Sequence, residues 1–324
     1  MTSQQIPLHS GFSAASTAYD VIKGIDLSGK TAIVTGGYSG IGIDTVKALV
    51  SSGAEVVVPA RDLERARKNL GDVAQVTVEP MDLMYPASID IFAERFLAGG
   101  KPLHILINSA GVMMNPLTRD ARGYESQLAT NHLGHYQLTM RLWPALRAAH
   151  GARVVSVSSR GHRLSPMDFN DPQFERREYD KRVAYGQSKT ANALFALTLD
   201  RLGEPHGIRA FSLHPGGIVT ELARHLTAQE LLATGFVQED GTPIFDPSRD
   251  MKTPPQGAAT SIWCATSPQL DDKGGVYCEN SDIAEPVPAD SDRLSGVRPW
   301  AIDQDEADKL WDLSEKLTGV HMPK

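Results

Sequence analysis

Short apolar segments alternate with longer amphipathic ones along the chain from residue 31 onward. Seven short segments rich in Val, Ile and Leu lie at 31–37, 55–60, 75–80, 103–108, 152–159, 208–215 and 275–279. Their near-continuous apolar runs are typical of strands buried on both faces of a sheet. Segments of helical length fill the gaps, for instance at 41–51, 62–70, 118–148 and 184–202. This alternation predicts an α/β fold with a single doubly wound parallel sheet of about seven strands, flanked by helices.

Several stretches depart from the alternation. Residues 160–183 are charged, contain proline and show no periodicity, so we predict an inserted surface loop. Residues 221–255 combine a short helix with a stretch rich in Gly, Pro and Asp, which is typical of a substrate lid. Residues 1–28 are predicted to form an N-terminal leader. The interpretation is one domain over residues 29–300 that carries the loop and the lid.

The C-terminal tail, residues 301–324, contains a further amphipathic segment. Its apolar side chains share one helical face, namely Ala307, Leu310, Trp311 and Leu317. An apolar face of this kind needs a surface to pack against. We therefore predict a C-terminal helical extension docked on the domain.

Composition narrows the classes of function. The 324 residues carry a net charge of −7, which argues against nucleic acid or an anionic membrane as a partner. The two cysteines, Cys264 and Cys278, exclude a disulfide framework, and no Cys/His spacing predicts a metal site. The sequence shows neither a secretory signal nor an apolar run of about 18 residues. The expectation is a cytoplasmic protein without a membrane anchor.

The first predicted strand leads directly into the glycine-rich segment "TGGYSGIG", residues 35–42. Glycines at a strand-to-helix turn let the backbone approach a pyrophosphate, and the amides of the helix N-terminus point at the anion. A glycine turn without a ligand is the alternative. The candidate cofactor contacts in this turn are Gly36, Tyr38, Ser39, Gly40, Ile41 and Gly42.

The end of the second predicted strand bears on the choice of dinucleotide. An NAD-binding protein commonly has an acidic residue there to bind the ribose hydroxyls, but Ala60 cannot do so. Arg61 could pair with a 2′-phosphate instead. The sequence favours NADP as cofactor, with NAD as the alternative.

The segment "AYGQSK" places Tyr185 and Lys189 four residues apart in a predicted helix, on the same face. A neighbouring ammonium group favours tyrosinate, so we expect Lys189 to lower the pKa of Tyr185 and to make it a proton donor and acceptor. Taken alone, the pattern also occurs by chance in helices.

These segments together resemble the short-chain dehydrogenase/reductase family, which has a Rossmann-type fold, over nearly the whole chain. The resemblance rests on "TGGYSGIG", "NSAG" (108–111), "TNHLGHY", "VVSVSS" (154–159), "YGQSK" and "HPGGIVT" (214–220). Ser109 departs from the family's N-N-A-G motif. Ser159 and Tyr185 lie 26 residues apart, about twice the usual spacing. This insert resembles the retinol dehydrogenase branch, which includes the WW-domain-containing oxidoreductases.

The resemblance implies a set of site residues. It makes Asn131, Ser159, Tyr185 and Lys189 catalytic, with Ser158 as the fallback for the serine, and it lets Ser159 and Tyr185 contact the substrate. Asn131 would hold a water that links Lys189 to solvent. Further cofactor contacts are implied at Asp82, Leu83, Asn108, Ala110, Gly111, Pro215, Gly216, Ile218 and Thr220, besides Tyr185 and Lys189.

The resemblance also implies an activity and an assembly. The expected protein is an NADP-dependent oxidoreductase that transfers hydride reversibly between nicotinamide and a carbonyl or alcohol substrate. It is expected to be a homodimer or homotetramer built through the helices around 120–148 and 184–202. A dinucleotide-binding sensor or scaffold without turnover is the alternative. A nucleotide-sugar epimerase or dehydratase fits less well, since it would need a larger C-terminal domain.

Other polar residues near these motifs are expected to have structural roles. His162 follows the serine, and His214 precedes the Pro-Gly turn. Packing or surface roles are favoured for both. Trp263 and Cys264 are predicted to pack in the core.

Overall fold

The computed structural model describes residues 4–323 and contains one eight-stranded sheet. Its spatial order is β3-β2-β1-β4-β5-β6-β7-β8, and all pairs are parallel except β7 with β8. The predicted doubly wound fold is confirmed, with one more strand than expected. The strands are β1 Thr31–Thr35, β2 Glu55–Ala60, β3 Val76–Pro80, β4 Ile105–Asn108, β5 Ala152–Val157, β6 Ile208–His214, β7 Val276–Glu279 and β8 Asp282–Ile283.

Helices cover both faces of the sheet and form two apolar cores. Helices α1, α2 and α10 pack on one face, where Trp263 and Cys264 are fully buried as predicted, and α4, α6, α8 and α11 pack on the other. The helices are α1 Ala18–Ile22, α2 Ile41–Ser51, α3 Leu63–Leu70, α4 Pro86–Ala98, α5 Ser126–Leu128, α6 Gly134–Arg141, α7 Trp143–Ala148, α8 Lys181–Gly203, α9 Ala228–Ala233, α10 Pro254–Thr266 and α11 Gln304–Thr318.

The long helix predicted over 118–148 is divided. Residues before α5 form a turn with an antiparallel bridge between Arg119 and Glu125, and a π-helical turn, Ala129–Leu133, separates α5 from α6. A π turn inserts one residue into the helical repeat and is frequent at functional sites. The periodicity of the sequence gave no signal for it, since the residues from 126 to 140 are buried on all sides.

The strand order reverses between β1 and β4, which are neighbours although they are not consecutive in the chain. Thr35 at the end of β1 is in register with Asn108 at the end of β4. Ligands of such sheets bind at this switch point, beyond the carboxyl ends of the strands. The turns that follow β1, β4, β5 and β6 therefore meet at one edge of the sheet.

The inserted segment 160–183 is less exposed than predicted. It begins with a 3-10 helix, Arg160–Leu164, and buries Met167 and Phe174. The buried carboxylate of Asp171 accepts hydrogen bonds from the amides of three following residues. The prediction of a surface loop is wrong for this part, because its scattered apolar residues carried no periodic signal.

The C-terminal helix α11 packs against α8 and the π turn. Trp311 lies edge-on to Tyr136 (5.3 Å between ring centroids) and stacks on Phe195 (6.0 Å). His132 Nε2 and Ser314 Oγ are 2.7 Å apart. A second copy could dock on this face of α8 only by displacing the tail. The homodimer or homotetramer stays a prediction.

None of the helices between residues 4 and 323 has the length and apolar character needed to cross a membrane.

Removing the Trp311 side chain tests the tail packing. We expect Trp311→Ala to lower the free energy of unfolding by about 3–5 kcal/mol, the usual cost of deleting a large buried aromatic side chain. Urea denaturation of the full chain measures the loss. The neighbouring exposed Asp312→Ala is the matched control and should change it by less than about 0.5 kcal/mol. Equal effects of the two substitutions would contradict the packing described.

Candidate active site

The turn after β1 fits closely against the turn after β4. Gly36 has φ +68°, and a Cβ there would lie 2.9 Å from the Ala110 Cα. A Cβ at Gly42 would lie 2.2 Å from the Gly36 carbonyl oxygen. Only glycine fits at these two positions. The N-cap of α2 is Gly40, which offers no side-chain hydrogen bond to the first amides of this 11-residue helix. The absence of side chains leaves room for a ligand close to this backbone, where the helix N-terminus could hold the pyrophosphate of a dinucleotide.

The other predicted contacts of the glycine turn lie around the same helix start. Tyr38, Ser39 and Ile41 are half-buried, and the Tyr38 carbonyl accepts a hydrogen bond from Asn69 Nδ2 (2.9 Å). This bond ties the turn to α3.

Arg61 follows β2 at the same edge of the sheet. It is exposed and forms neither an ion pair nor a side-chain hydrogen bond with any residue from 4 to 323. Its neighbour Arg65 pairs with Glu221 at 2.5 Å. The guanidinium of Arg61 therefore has no competing partner in the described part of the chain.

Asp82 and Leu83 follow β3. Asp82 Oδ1 accepts a hydrogen bond from the Met84 amide (2.9 Å), which shapes the turn. Leu83 is buried against Gly134, where a Cβ would lie 2.7 Å from the Leu83 carbonyl oxygen. The turn after β3 is thus packed against the start of α6.

A buried hydrogen-bond network joins β1 to the turn after β4. Thr35 Oγ1 accepts hydrogen bonds from the amides of Ser109 (2.9 Å) and Ala110 (3.0 Å). His135 Nδ1 donates to the Asn131 carbonyl (3.0 Å), so Nε2 accepts a hydrogen bond from the Thr35 hydroxyl (2.8 Å). Burial lowers the pKa of His135 to about 4, so the ring is neutral. Thr35 and His135 lie within the motifs "TGGYSGIG" and "TNHLGHY" but were not predicted as site residues, since buried hydrogen bonds leave no periodic signal.

Asn131 lies in the π turn and connects two parts of the site. Its Oδ1 accepts from the Val112 amide (2.8 Å), and its Nδ2 donates to the Val112 carbonyl (3.0 Å) and to Ser188 Oγ (2.9 Å). A Cβ at Gly111 would lie 3.0 Å from Asn131 Oδ1 and 3.8 Å from Lys189 Nζ. The Asn131 side chain therefore fixes the loop after β4 against α8. Asn108 at the end of β4 is buried and donates to Thr139 Oγ1 (3.1 Å).

Tyr185 and Lys189 lie on α8 and are both buried. Lys189 Nζ donates to the Val157 carbonyl (2.9 Å) and lies 5.7 Å from the Tyr185 ring centroid. Burial raises the pKa of Tyr185 to about 12, against a smaller lowering by its hydrogen bond with Ser159. Burial also lowers the pKa of Lys189 to about 8. The expected lowering of the Tyr185 pKa is not what these surroundings produce, because desolvation outweighs the other influences.

The two serines after β5 have different environments. Ser158 Oγ is buried and donates to the Lys189 carbonyl (2.6 Å). Ser159 is half-buried, accepts from the Gly161 amide (3.0 Å) and is hydrogen-bonded to Tyr185. Ser159 rather than the fallback Ser158 therefore stands beside the tyrosine.

His162 holds the backbone of Ser159 in place. Its Nδ1 donates to the Ser159 carbonyl (2.8 Å), and its Nε2 accepts from the Arg298 amide (3.1 Å). Trp300 Nε1 donates to the His162 carbonyl (3.0 Å). The side chain is buried, and its role here is structural, as favoured from the sequence.

The turn after β6 completes the edge. Gly216 has φ +110°, and a Cβ there would lie 2.5 Å from the Lys252 Cδ. Thr220 faces the glycine turn, at 3.3 Å from a Cβ built on Gly40. Ile218 packs against Gly257 of α10, and Lys252 Nζ reaches the Pro215 carbonyl (3.4 Å). The structure thus brings together the predicted residues after β1, β4, β5 and β6 with those on α8.

Within residues 4–323, no three His, Cys, Asp or Glu side chains are arranged to hold a metal ion.

Known proteins resemble this chain in sequence and in fold. The sequence model of the family described as "short chain dehydrogenase" matches residues 30–231. A protein named "Probable oxidoreductase" from Streptomyces antibioticus is 43% identical over 89% of this chain and 97% of its own length. Human retinol dehydrogenase 12 is 36% identical over 91% of this chain and 88% of its own. Among solved structures, the RhlG/NADP active-site complex of Pseudomonas aeruginosa is 25% identical, with a TM-score of 0.60, over 78% of this chain and 94% of that one.

The buried histidines predict a pH dependence of stability. Burial lowers the pKa of His132 and His162 to about 3 and of His135 to about 4, below the ordinary value. The unfolded chain therefore binds more protons than the folded one below about pH 6.5, and stability is lost as the pH falls. From pH 7 to pH 5 the loss should be on the order of 2 kcal/mol for each histidine.

Urea denaturation across this pH range, with wild type and His135→Asn, measures the effect. Below pH 6, the free energy of unfolding of the variant should fall less steeply with decreasing pH than that of wild type, by about 1.4 kcal/mol per pH unit. This difference in slope does not depend on the absolute stability of the variant. The exposed His9→Asn serves as control and should keep the wild-type slope. An unchanged slope in His135→Asn would mean that His135 is protonated in the folded protein.

Proposed function

The chain belongs to the short-chain dehydrogenase family and is an oxidoreductase of that family, and from this premise we propose that it is an NADP-dependent enzyme acting on a carbonyl or alcohol substrate. The observation that carries the proposal is the placement of Ser159, Tyr185 and Lys189 at the sheet edge that also holds the glycine turn. A proton donor, a second hydroxyl and a cation thus lie beside a dinucleotide cradle.

The cofactor would be held by the turns that meet at this edge. The glycine turn would bind the pyrophosphate, Asp82 and Leu83 would border the adenine, and Pro215 to Thr220 would border the nicotinamide half. When bound, nicotinamide would supply or accept the hydride. The NADP complex of the Pseudomonas aeruginosa relative supports a nicotinamide dinucleotide. Arg61, exposed and without a competing partner in the described chain, supports NADP over NAD.

Tyr185 would move the proton. Its raised pKa of about 12 keeps the hydroxyl protonated at neutral pH, which suits donation to a carbonyl oxygen. The Ser159 hydroxyl, already beside Tyr185, would hydrogen-bond the same oxygen and stabilise developing negative charge. Lys189, with a pKa of about 8, could replace the proton of Tyr185. Asn131 would keep Lys189 aligned by fixing α8 to the loop after β4.

The choice of cofactor can be measured by fluorescence titration of the protein with NADPH and NADH. We expect NADPH to bind more tightly, and Arg61→Ala to weaken NADPH binding by about tenfold or more, because a hydrogen bond to a charged group contributes about 1.5–3 kcal/mol. NADH binding should change little. Arg67→Ala, which removes an exposed arginine of α3, is the matched control. Tighter NADH binding, unaffected by Arg61→Ala, would contradict the NADP assignment.

The role of Tyr185 can be measured in a panel of carbonyl compounds with the preferred cofactor. Tyr185→Phe should lower kcat by about 10²- to 10⁴-fold, the usual contribution of acid/base catalysis, and leave cofactor binding within about twofold. The exposed Tyr19→Phe is the control and should retain full activity. Cofactor binding without turnover in wild type would favour the sensor or scaffold, and binding of neither cofactor would contradict both proposals.

A further inference from the structure

The segment 221–249, which contains α9, returns to the sheet edge at Asp250. Asp250 has φ +65°, a left-handed conformation that is unfavourable for a residue with a side chain. Its carbonyl accepts from the Gly217 amide (2.8 Å), and the Lys252 amide donates to the Gly217 carbonyl (2.9 Å). The end of the segment is thus paired with the turn after β6, at the cost of local strain.

The Asp250 carboxylate contacts three side chains, the neutral imidazole of His214 and the cations Arg160 and Lys252. Arg160 donates its amide to His214 Nδ1 (3.0 Å), so His214 Nε2 carries a proton and donates to Asp250 Oδ2 (2.8 Å). Arg160 Nη1 lies 3.3 Å from the same oxygen, and Lys252 Nζ lies 3.8 Å from Oδ1. Burial alone would raise the pKa of Asp250, but His214, Lys252 and Arg160 outweigh it and lower the pKa to about 2.

Arg160 also contacts the middle of the segment. Its guanidinium lies 5.3 Å from the centroid of the Phe236 ring, a cation–π distance. The Phe236 ring in turn lies on Gly217, where a Cβ would be 2.6 Å away. Arg160 directly follows Ser159 in the turn after β5, here called the serine turn. Its side chain therefore joins this turn to Phe236 within the segment and to Asp250 directly after it.

The rest of the segment is weakly attached by comparison. Leu232 and Phe245 are 44% and 58% exposed. Two ion pairs, Lys181–Glu230 and Arg65–Glu221, join the segment to other parts of the chain. Their side chains are partly exposed, so these pairs contribute little to holding the segment in place. Val237 and Met251 are buried. The side chains of Arg160, His214 and Asp250 are 7–23% exposed, less than those of either of these two ion pairs.

We propose that Arg160, His214 and Asp250 form a latch that seats the segment 221–249 over the serine turn, with Arg160 as a positioning residue for Ser159. Breaking the latch releases the segment and displaces Ser159. The latch itself is independent of the proposed function. Its consequence, a raised KM for the carbonyl substrate, rests on that function.

Hydrogen exchange of the full chain, read by mass spectrometry without added ligand, tests the latch. In Asp250→Asn, and separately in Arg160→Met, amides of 221–249 should exchange at least about tenfold faster than in wild type, while the core strands keep their rates. The double variant should be no faster than the faster single one, because both substitutions break one unit. Asp246→Asn, in the same segment with its carboxylate bonded to Ser248, is the matched control and should exchange like wild type.

Two results would overturn the proposal. Unchanged exchange over 221–249 in the folded variants would show that the cluster does not hold the segment. Equal acceleration throughout the chain would show that it only stabilises the fold. Arg160→Met removes the other member of the Arg160–Asp250 ion pair. The test therefore remains decisive if Asp250→Asn does not fold.

Steady-state kinetics then test the role in substrate binding. In both variants KM for a carbonyl substrate should rise at least about fivefold, with a smaller change in the dissociation constant for NADPH. Faster exchange with an unchanged KM would overturn the role in substrate binding. If neither the wild type nor any variant turns over substrate, the proposed function is contradicted. The hydrogen-exchange result still tests the latch in that case.

Discussion

The site depends on the close approach of the turns that follow the carboxyl ends of β1 and β4. A Cβ at Gly36 would lie within 2.9 Å of Ala110, so the two turns are in backbone contact. The Thr35 hydroxyl bridges them by accepting two amide protons from the turn after β4. Because neighbouring parallel strands place their carboxyl ends side by side, this contact creates the switch-point crevice. Every other group of the site is placed relative to it.

A sequence of buried hydrogen bonds extends from that contact to α8. Thr35 donates to His135, His135 donates to the Asn131 carbonyl, and the Asn131 side chain donates to Ser188. Ser188 lies between Tyr185 and Lys189 on the same helix. Buried polar groups without partners are costly, so each of these residues restricts the next. The glycine turn and the part of α8 that carries Tyr185 and Lys189 are therefore joined by one buried network.

Local patterns in the sequence predicted much of this arrangement. Apolar runs located the first seven strands, the glycines located the turn, and the spacing of Tyr185 and Lys189 placed them on one helical face. Contacts between distant residues were not predictable. Asp250 is 36 residues from His214 and 90 from Arg160, and His135 meets Thr35 across 100 residues. The two-residue strand β8 and the π turn were missed because they are too short to leave a periodic pattern.

The spacing of Tyr185 and Lys189 predicted that they would share one face of a helix, but their burial decides which of them is charged. Desolvation disfavours the charged form of both residues, so it raises the pKa of Tyr185 and lowers that of Lys189. A tyrosinate beside an ammonium would need additional stabilisation to form here. The protein accordingly keeps the proton on Tyr185 at neutral pH, and a carbonyl oxygen placed between Tyr185 and Ser159 would meet two hydroxyl donors. In the proposed reduction these hydroxyls would donate to the carbonyl oxygen, whereas in the reverse reaction Tyr185 would have to lose its proton against the cost of burial.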